Sequence, residues 1–162
     1  MESTKHTRNF LLALAVILAT FLPLLAVTST PASAAGCSGR LIEHKAIRGD
    51  RTGNLFGYLD VYYNSSTGRN CVRTVSSSRT WGTRKPMFVG LYKCSQTRLG
   101  RCSVVARAED QANYKYGSYQ YYAGPRSLYA KSHCIAARGD IVFKGEHGDA
   151  FTPNYPGGSH CG

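Results

Sequence analysis

The sequence predicts an all-β domain: a small, disulfide-stapled antiparallel sandwich or barrel that follows a cleaved signal peptide. Three observations carry that expectation. Short strand-like segments recur at a spacing of about 8–12 residues, with turn formers between them. Six cysteines follow an N-terminal apolar run, the pattern of an exported chain that oxidises outside the reducing cytosol. Bulk comes from tyrosine more than from leucine. The chain holds 11 Tyr, and tyrosine joins a large ring to a preference for strands.

The leader comes first. Residues 1–9 form a polar start with Lys5, His6 and Arg8, and residues 10–27 form an apolar run broken by Pro23. Ala32-Ser33-Ala34 fits the small-residue cleavage pattern, which assigns residues 1–34 to a signal peptide. An apolar run of this length also reaches the minimum for a membrane span. The basic start, the proline and the small-residue exit favour cleavage, so residues 35–162 are read as one secreted domain without a stable membrane anchor. Ala34-Ala35-Gly36-Cys37 loosely resembles a lipoprotein box. However, residues 28–36 set Cys37 far from the apolar run, and lipidating it would strand one of five remaining thiols. Cys37 is therefore read as a disulfide partner.

The strands follow in order. Within residues 55–63, Leu59, Val61 and Tyr63 share a face opposite Tyr58, Asp60 and Tyr62. Residues 64–70 are dense in turn formers and residues 71–75 resume a strand, which makes a hairpin. Asn64-Ser65-Ser66 matches a glycosylation sequon, but its composition is already that of a turn. A second hairpin runs from residues 87–94 through a loop to residues 102–106. Residues 109–115 are assigned the one helical turn. Residues 118–122, 127–130, 134–137 and 141–144 complete the strands. Gly124-Pro125, Arg138-Gly139-Asp140 and Gly157-Gly158 punctuate them, and the Arg-Gly-Asp string is read as a turn rather than an adhesion motif. A chain of this size buries roughly two-thirds of its unfolded surface, so the disulfides reinforce a core rather than replace one.

Six cysteines allow fifteen pairings, and sequence alone does not choose among them. Cys94 and Cys102 flank the second hairpin loop, where facing positions come within disulfide range. Pairing Cys134 with Cys161 would pin the last segment and leave Cys37 with Cys71.

Charge and motifs narrow the function classes. After the leader, 18 Lys and Arg stand against 8 Asp and Glu, and no acidic residue lies between Asp60 and Glu109. That interval carries Arg69, Arg73, Arg79, Arg84, Lys85, Lys93, Arg98, Arg101 and Arg107. Interleaved with strands, the block belongs to the folded body. It predicts one cationic face for an anionic cell-wall or spore-surface polymer, with nucleic acid as an alternative partner because basic and aromatic residues alternate. No cofactor is expected: no C-x-x-C and no His pair at helical zinc spacing occurs. No G-x-S-x-G nucleophile string occurs either. Glu146-His147-Gly148-Asp149 is the densest polar string; it offers an acid and a base, or half a metal site, and is read as a solvated loop. A ribonuclease-like hydrolase would draw on Glu43-His44, Glu146-His147 and the arginines. An inhibitor or toxin module would present the loop of residues 95–101. The reading preferred over both is a non-enzymatic surface domain, in which Tyr58, Tyr62, Tyr119, Tyr121 and Tyr122 are structural or interfacial.

Specific strings then add to composition. VYYNSSTGRNCV (residues 61–72), YQYYAGP (119–125), LYAKSHCI (128–135) and the terminal SHCG resemble the actinomycete spore-associated protein A family. The resemblance runs patchily from Cys37 to Gly162, with gaps over residues 81–93 and 109–116. Cys37, Cys71, Cys134 and Cys161 fit the family's cysteine positions, and Cys94 and Cys102 look like an addition seen in some relatives. Arg126-Ser127 stands where the family tends to be apolar, and Ala136-Ala137-Arg138 where it tends to carry tryptophan, marking a divergent member. The resemblance implies an extracellular role at the cell envelope or spore surface, and it transfers no active-site residues.

Overall fold

The computed structural model describes residues 36–162, so the leader expected over residues 1–34 lies outside the described residues. Strands β1 (Arg40–Gly49), β2 (Leu55–Asn64) and β3 (Arg69–Ser76) form a meander. β4 (Lys85–Cys94) follows, with short β5 (Gly100–Arg101) and then β6 (Val104–Glu109). After a 3-10 turn at Ala112–Tyr114 come β7 (Gly117–Tyr119), β8 (Tyr122–Tyr129), β9 (Ile135–Phe143), β10 (Glu146–Phe151) and β11 (Gly157–Gly158). The main sheet runs β6-β4-β9-β10-β1-β2-β3-β8, every pair antiparallel, with β7 also on β4. The two ends of that path, β6 and β8, come together. The result is a nearly closed antiparallel barrel.

The inward-facing residues alternate with outward ones, as the pleat requires. Ile47, Leu59, Val61, Val72, Val89, Leu91 and Ile141 are each fully buried. Tyrosine does not build this core: Tyr92, at 3 % exposed, is the one buried tyrosine among the described residues. Tyr119 packs against the core from its edge, and the other rings are half-buried or exposed, where a hydroxyl keeps water or a polar partner.

Four expectations need correction. Arg138-Gly139-Asp140 is mid-strand in β9 rather than a turn. Its glycine is there for space, because a Cβ at Gly139 would lie 2.4 Å from Thr74 Oγ1 across the barrel interior. Glu146-His147-Gly148-Asp149 is strand β10 rather than a solvated loop. It pairs in full register with β9, and Gly148 lets the β1 backbone pass where a Cβ would meet the Arg48 carbonyl at 2.3 Å. Gly124-Pro125, read as punctuation between strands, lies inside β8; residues 40–49, unassigned from sequence, form a ten-residue strand.

The hairpins match. β2 and β3 pair from Gly57↔Ser76 to Asn64↔Arg69. The Asn64 amide completes their turn, its Oδ1 accepting from the Ser66 and Thr67 amides while Nδ2 donates to Ser38 Oγ. β4 and β6 form the second hairpin around the loop that Cys94–Cys102 closes. Cys37–Cys71 and Cys134–Cys161 are the other two bonds, and no cysteine is free.

Candidate functional site

Cross-strand register decides which polar side chains meet, since directly opposed residues of an antiparallel pair share a face. Asp149 on β10 opposes Asp140 on β9. Counting two residues along each strand adds His147 and Arg138 to the same outer face. These four make the densest charged cluster. Asp140 is wholly buried and sits at its centre. Arg138 donates to both of its oxygens, Nε to Oδ2 at 2.7 Å and Nη2 to Oδ1 at 2.5 Å. His147 Nε2 pairs with Oδ1 at 3.0 Å, and Tyr116 Oη donates to the same oxygen at 3.4 Å. Asp50, from the β1–β2 turn, holds the other imidazole nitrogen of His147 at 2.9 Å.

The electrostatics follow from that packing. Burial works against a charged His147, but its bonds to Asp50 and Asp140 and their charges outweigh it and hold its pKa above the ordinary histidine value. The bonds to Asp140 stabilise the Arg138 guanidinium against its partial burial. Burial first, and then the charge of Asp140, push Asp149 up and likewise raise Tyr116. Asp140, His147 and Asp149 can bring one ligand atom each within 4.8 Å of one another. The Asp140 carboxylate already carries a two-pronged guanidinium and an imidazole, so the arrangement neutralises itself and does not fit a cation. Both nitrogens of His147 are engaged as well, which leaves it no lone pair or proton to offer a substrate.

A second row crosses β1, β2 and β3. His44 and Arg73 both oppose Asp60. Asp60 is 4 % exposed; it takes His44 Nδ1 at 2.6 Å and Arg73 Nε at 3.0 Å. Arg73 also donates to Tyr62 Oη at 2.8 Å, and His44 stacks on Tyr58 with centroids 4.2 Å apart. Here only Nδ1 is engaged, and the His44 side chain is half-exposed. Glu43 does not join its neighbour. A bulge at Ile42 sends it to His160, whose Nε2 lies 3.2 Å from Glu43 Oε2. His160 lines a cavity of about 200 Å³ with Arg40, Tyr63 and Asn70. The pairs Glu43-His44 and Glu146-His147 therefore do not act as pairs. Glu146 instead turns to the β1–β2 turn, where it accepts from the Arg51 and Thr52 amides. Its burial is outweighed by those bonds, which hold its carboxyl below the usual range.

The basic block is dispersed rather than gathered on one face. β4 is ten residues long, so about 30 Å separates the loop before it from the loop after it. Arg79 and Arg84 stand at one end and Arg98 and Arg101 at the other. Arg73 is committed to Asp60, Arg69 bonds Ser127, Lys93 lies over the Tyr129 ring, and Arg107 stands exposed on β6. Lys85 is unavailable to any outside anion. It is 3 % exposed, and its Nζ donates to the carbonyls of Thr80, Thr83 and Gln120 at 2.9, 2.9 and 3.0 Å. Burial pushes its amine down to about 8, a shift the three carbonyl acceptors oppose. The loop of residues 95–101 does not project freely. Its end is β5, which pairs with β11, and Leu99 and Arg101 face Asn154 and Pro156 across an open crevice of about 890 Å³.

No family model, curated protein or solved structure matches this chain. Its function has to be read from its own residues. Sequence reasoning overlooked Asp50, Asp60, Asp110 and Asp140, the buried or shared carboxylates around which Arg73, Arg126, Arg138, His44 and His147 gather. One signal was present for Asp60: a lone acid at the outward position of a tyrosine-rich strand, far from any basic neighbour in sequence. Among the described residues, no helix is long and apolar enough to cross a membrane.

Proposed function

We propose that this protein is an exported, disulfide-braced binding domain of the cell envelope or spore surface and that it works without catalysis. The observation that carries the reading is the set of three disulfides, which leaves no free thiol and is consistent with an extracellular protein. The leader-like N-terminus supports it, as does the resemblance to the spore-associated protein A family. The self-neutralised cluster around Asp140 supports a non-catalytic role, because its acid–base groups are spent on one another. The test is to fractionate producing cells into medium, mycelium and spores and to probe each with an antibody. Recovery with the washed envelope or spore fraction is expected; recovery in the medium alone overturns the reading.

One observation favours a second reading, a small hydrolase of the ribonuclease type. Buried Asp60 holds His44 through Nδ1 and leaves Nε2 of the half-exposed ring without a partner among the described residues, as a general base requires. Incubating the oxidised protein with RNA tests it. Cleavage that disappears in His44→Ala would establish hydrolysis, and an intact substrate would dismiss it.

A further inference from the structure

Trp81 is the single tryptophan, and it is 55 % exposed. Burial of such a ring is worth several kcal/mol in most folds, so a displayed one calls for an explanation. It is not alone. Tyr121, 41 % exposed, packs against it with centroids 4.9 Å apart and planes inclined at 50°. The two rings reach this spot from different parts of the chain, the β3–β4 loop and the β7–β8 junction.

The support beneath them is unusually rigid. The buried Lys85 ammonium bonds the carbonyls of Thr80 and Thr83, which bracket Trp81, and that of Gln120, which precedes Tyr121. Thr80 Oγ1 donates to the Phe56 carbonyl at 2.5 Å, and the Ser76 amide donates to the Tyr121 carbonyl at 2.8 Å. Gly82 supplies the positive φ of 75° that turns the chain directly after Trp81. Both rings therefore rise from backbone that is already fixed, which lowers the ordering cost of binding.

The two segments that carry the rings hold charge of one sign. Arg79 and Arg84 are exposed in the same loop, and neither has an acidic partner among the described residues. Arg84 Nη1 is held by the Ser118 carbonyl at 3.0 Å, which draws it toward the Tyr121 segment. Neither contributing segment supplies a carboxylate: there is no Asp or Glu between Asp60 and Glu109, nor between Asp110 and Asp140.

We propose that Trp81 and Tyr121, with Arg79 and Arg84 at their margin, form a binding site for an acidic polysaccharide. The inclined rings cradle the apolar C–H face of a pyranose, and the guanidiniums take its carboxylate or phosphate substituents. Two arginines without acidic partners suit a short run of acidic sugars. A nucleic acid strand needs a continuous cationic track along its backbone, whereas Arg98 and Arg101 lie at the far end of β4 and the exposed Arg51 of the nearer β1–β2 turn stands next to Asp50 in the chain. The inference rests on the binding reading above and supplies its ligand class.

The test uses the oxidised protein and the emission of Trp81, which reports on this site alone. Short polygalacturonate fragments should shift or quench that emission saturably. By calorimetry, Trp81→Ala and Tyr121→Ala should each weaken polygalacturonate binding about tenfold, and Arg79→Ser/Arg84→Ser about fivefold with loss of its salt sensitivity. Trp81→Tyr should retain most of the affinity. Dextran, neutral, and polyphosphate, without rings, should each bind much more weakly. Equal binding of polyphosphate, tighter binding of a single-stranded oligodeoxythymidine, or unchanged affinity in Trp81→Ala overturns the proposal. If Trp81→Ala still associates with the envelope as wild type does, the site is wrong and the envelope reading stands. If wild type never associates, the envelope reading itself fails.

Discussion

Deleting the three disulfides one at a time should destabilise the barrel in the order of the chain length each closes. The bonds span 8, 27 and 34 residues, for Cys94–Cys102, Cys134–Cys161 and Cys37–Cys71 respectively. Loop-closure entropy then gives contributions of about 2.5, 3.6 and 3.8 kcal/mol. The three loops do not overlap in sequence, so their contributions add to about 10 kcal/mol. That is comparable to the whole stability of an ordinary domain, about 5–15 kcal/mol. Packing losses do not disturb the comparison, because each pair joins one buried cysteine (Cys94, Cys134 or Cys71) to one half-buried partner. Urea unfolding of the three double-alanine variants measures the effect. The Cys94→Ala/Cys102→Ala protein should be the most stable of the three, by about 1 kcal/mol over Cys37→Ala/Cys71→Ala. Its m-value should also rise least, since it frees the least denatured chain. If removing the eight-residue link costs as much as removing the longest one, constraint of the unfolded chain is not how these bonds act.

Other perturbations test the polar clusters and the seam. The folded pKa of His147 lies above its unfolded value, so its contribution is complete below about pH 6.5 and is lost as pH rises through the folded value. Melting temperature should fall over that window in wild type and much less in His147→Gln. Lys85→Met strips three carbonyls of their donor but relieves the burial of a charge, for a net loss of about 1–2 kcal/mol in urea unfolding. A gain would mean that the ammonium is a net burden. Asp110 ties the two ends of the sheet. Its Oδ1 meets Arg126 Nη2 at 3.0 Å and the Gly124 amide at 3.3 Å, and its own amide bonds Val89. Asp110→Ala should cost about 1–3 kcal/mol and speed amide exchange in β8 before any other long strand; uniform exchange would assign the seam no special weakness.

Local pattern made part of this legible. Leu59, Val61 and their outward neighbours gave the β2 face, the turn formers after Asn64 gave the first hairpin, and Cys94 with Cys102 gave the second. What escaped were strands whose outward residues are charged and whose inward residues are glycines. β10 reads Glu-His-Gly-Asp and looks solvated, yet alternate residues are buried, because Gly148 admits a neighbouring backbone and Gly139, opposite Ala150, admits Thr74. No one-dimensional pattern shows that a glycine is needed for close approach. The charge block is spread out for a different reason: its residues are close in sequence, but a ten-residue strand carries them to opposite ends. Asp60 meets Arg73 by register and Asp110 meets Arg126 where the ends of the sheet close, neither of which the sequence announces, whereas Arg138 and Asp140 lie two apart on one strand.

The cysteines also pair strictly in succession: first with second, third with fourth, fifth with sixth. For a chain that emerges amino end first, each even-numbered thiol then finds its native partner as the one still unclaimed. Correct oxidation thus follows from the order of arrival, without trial bonds to be undone, and each covalent loop can be sealed before the next stretch of chain appears.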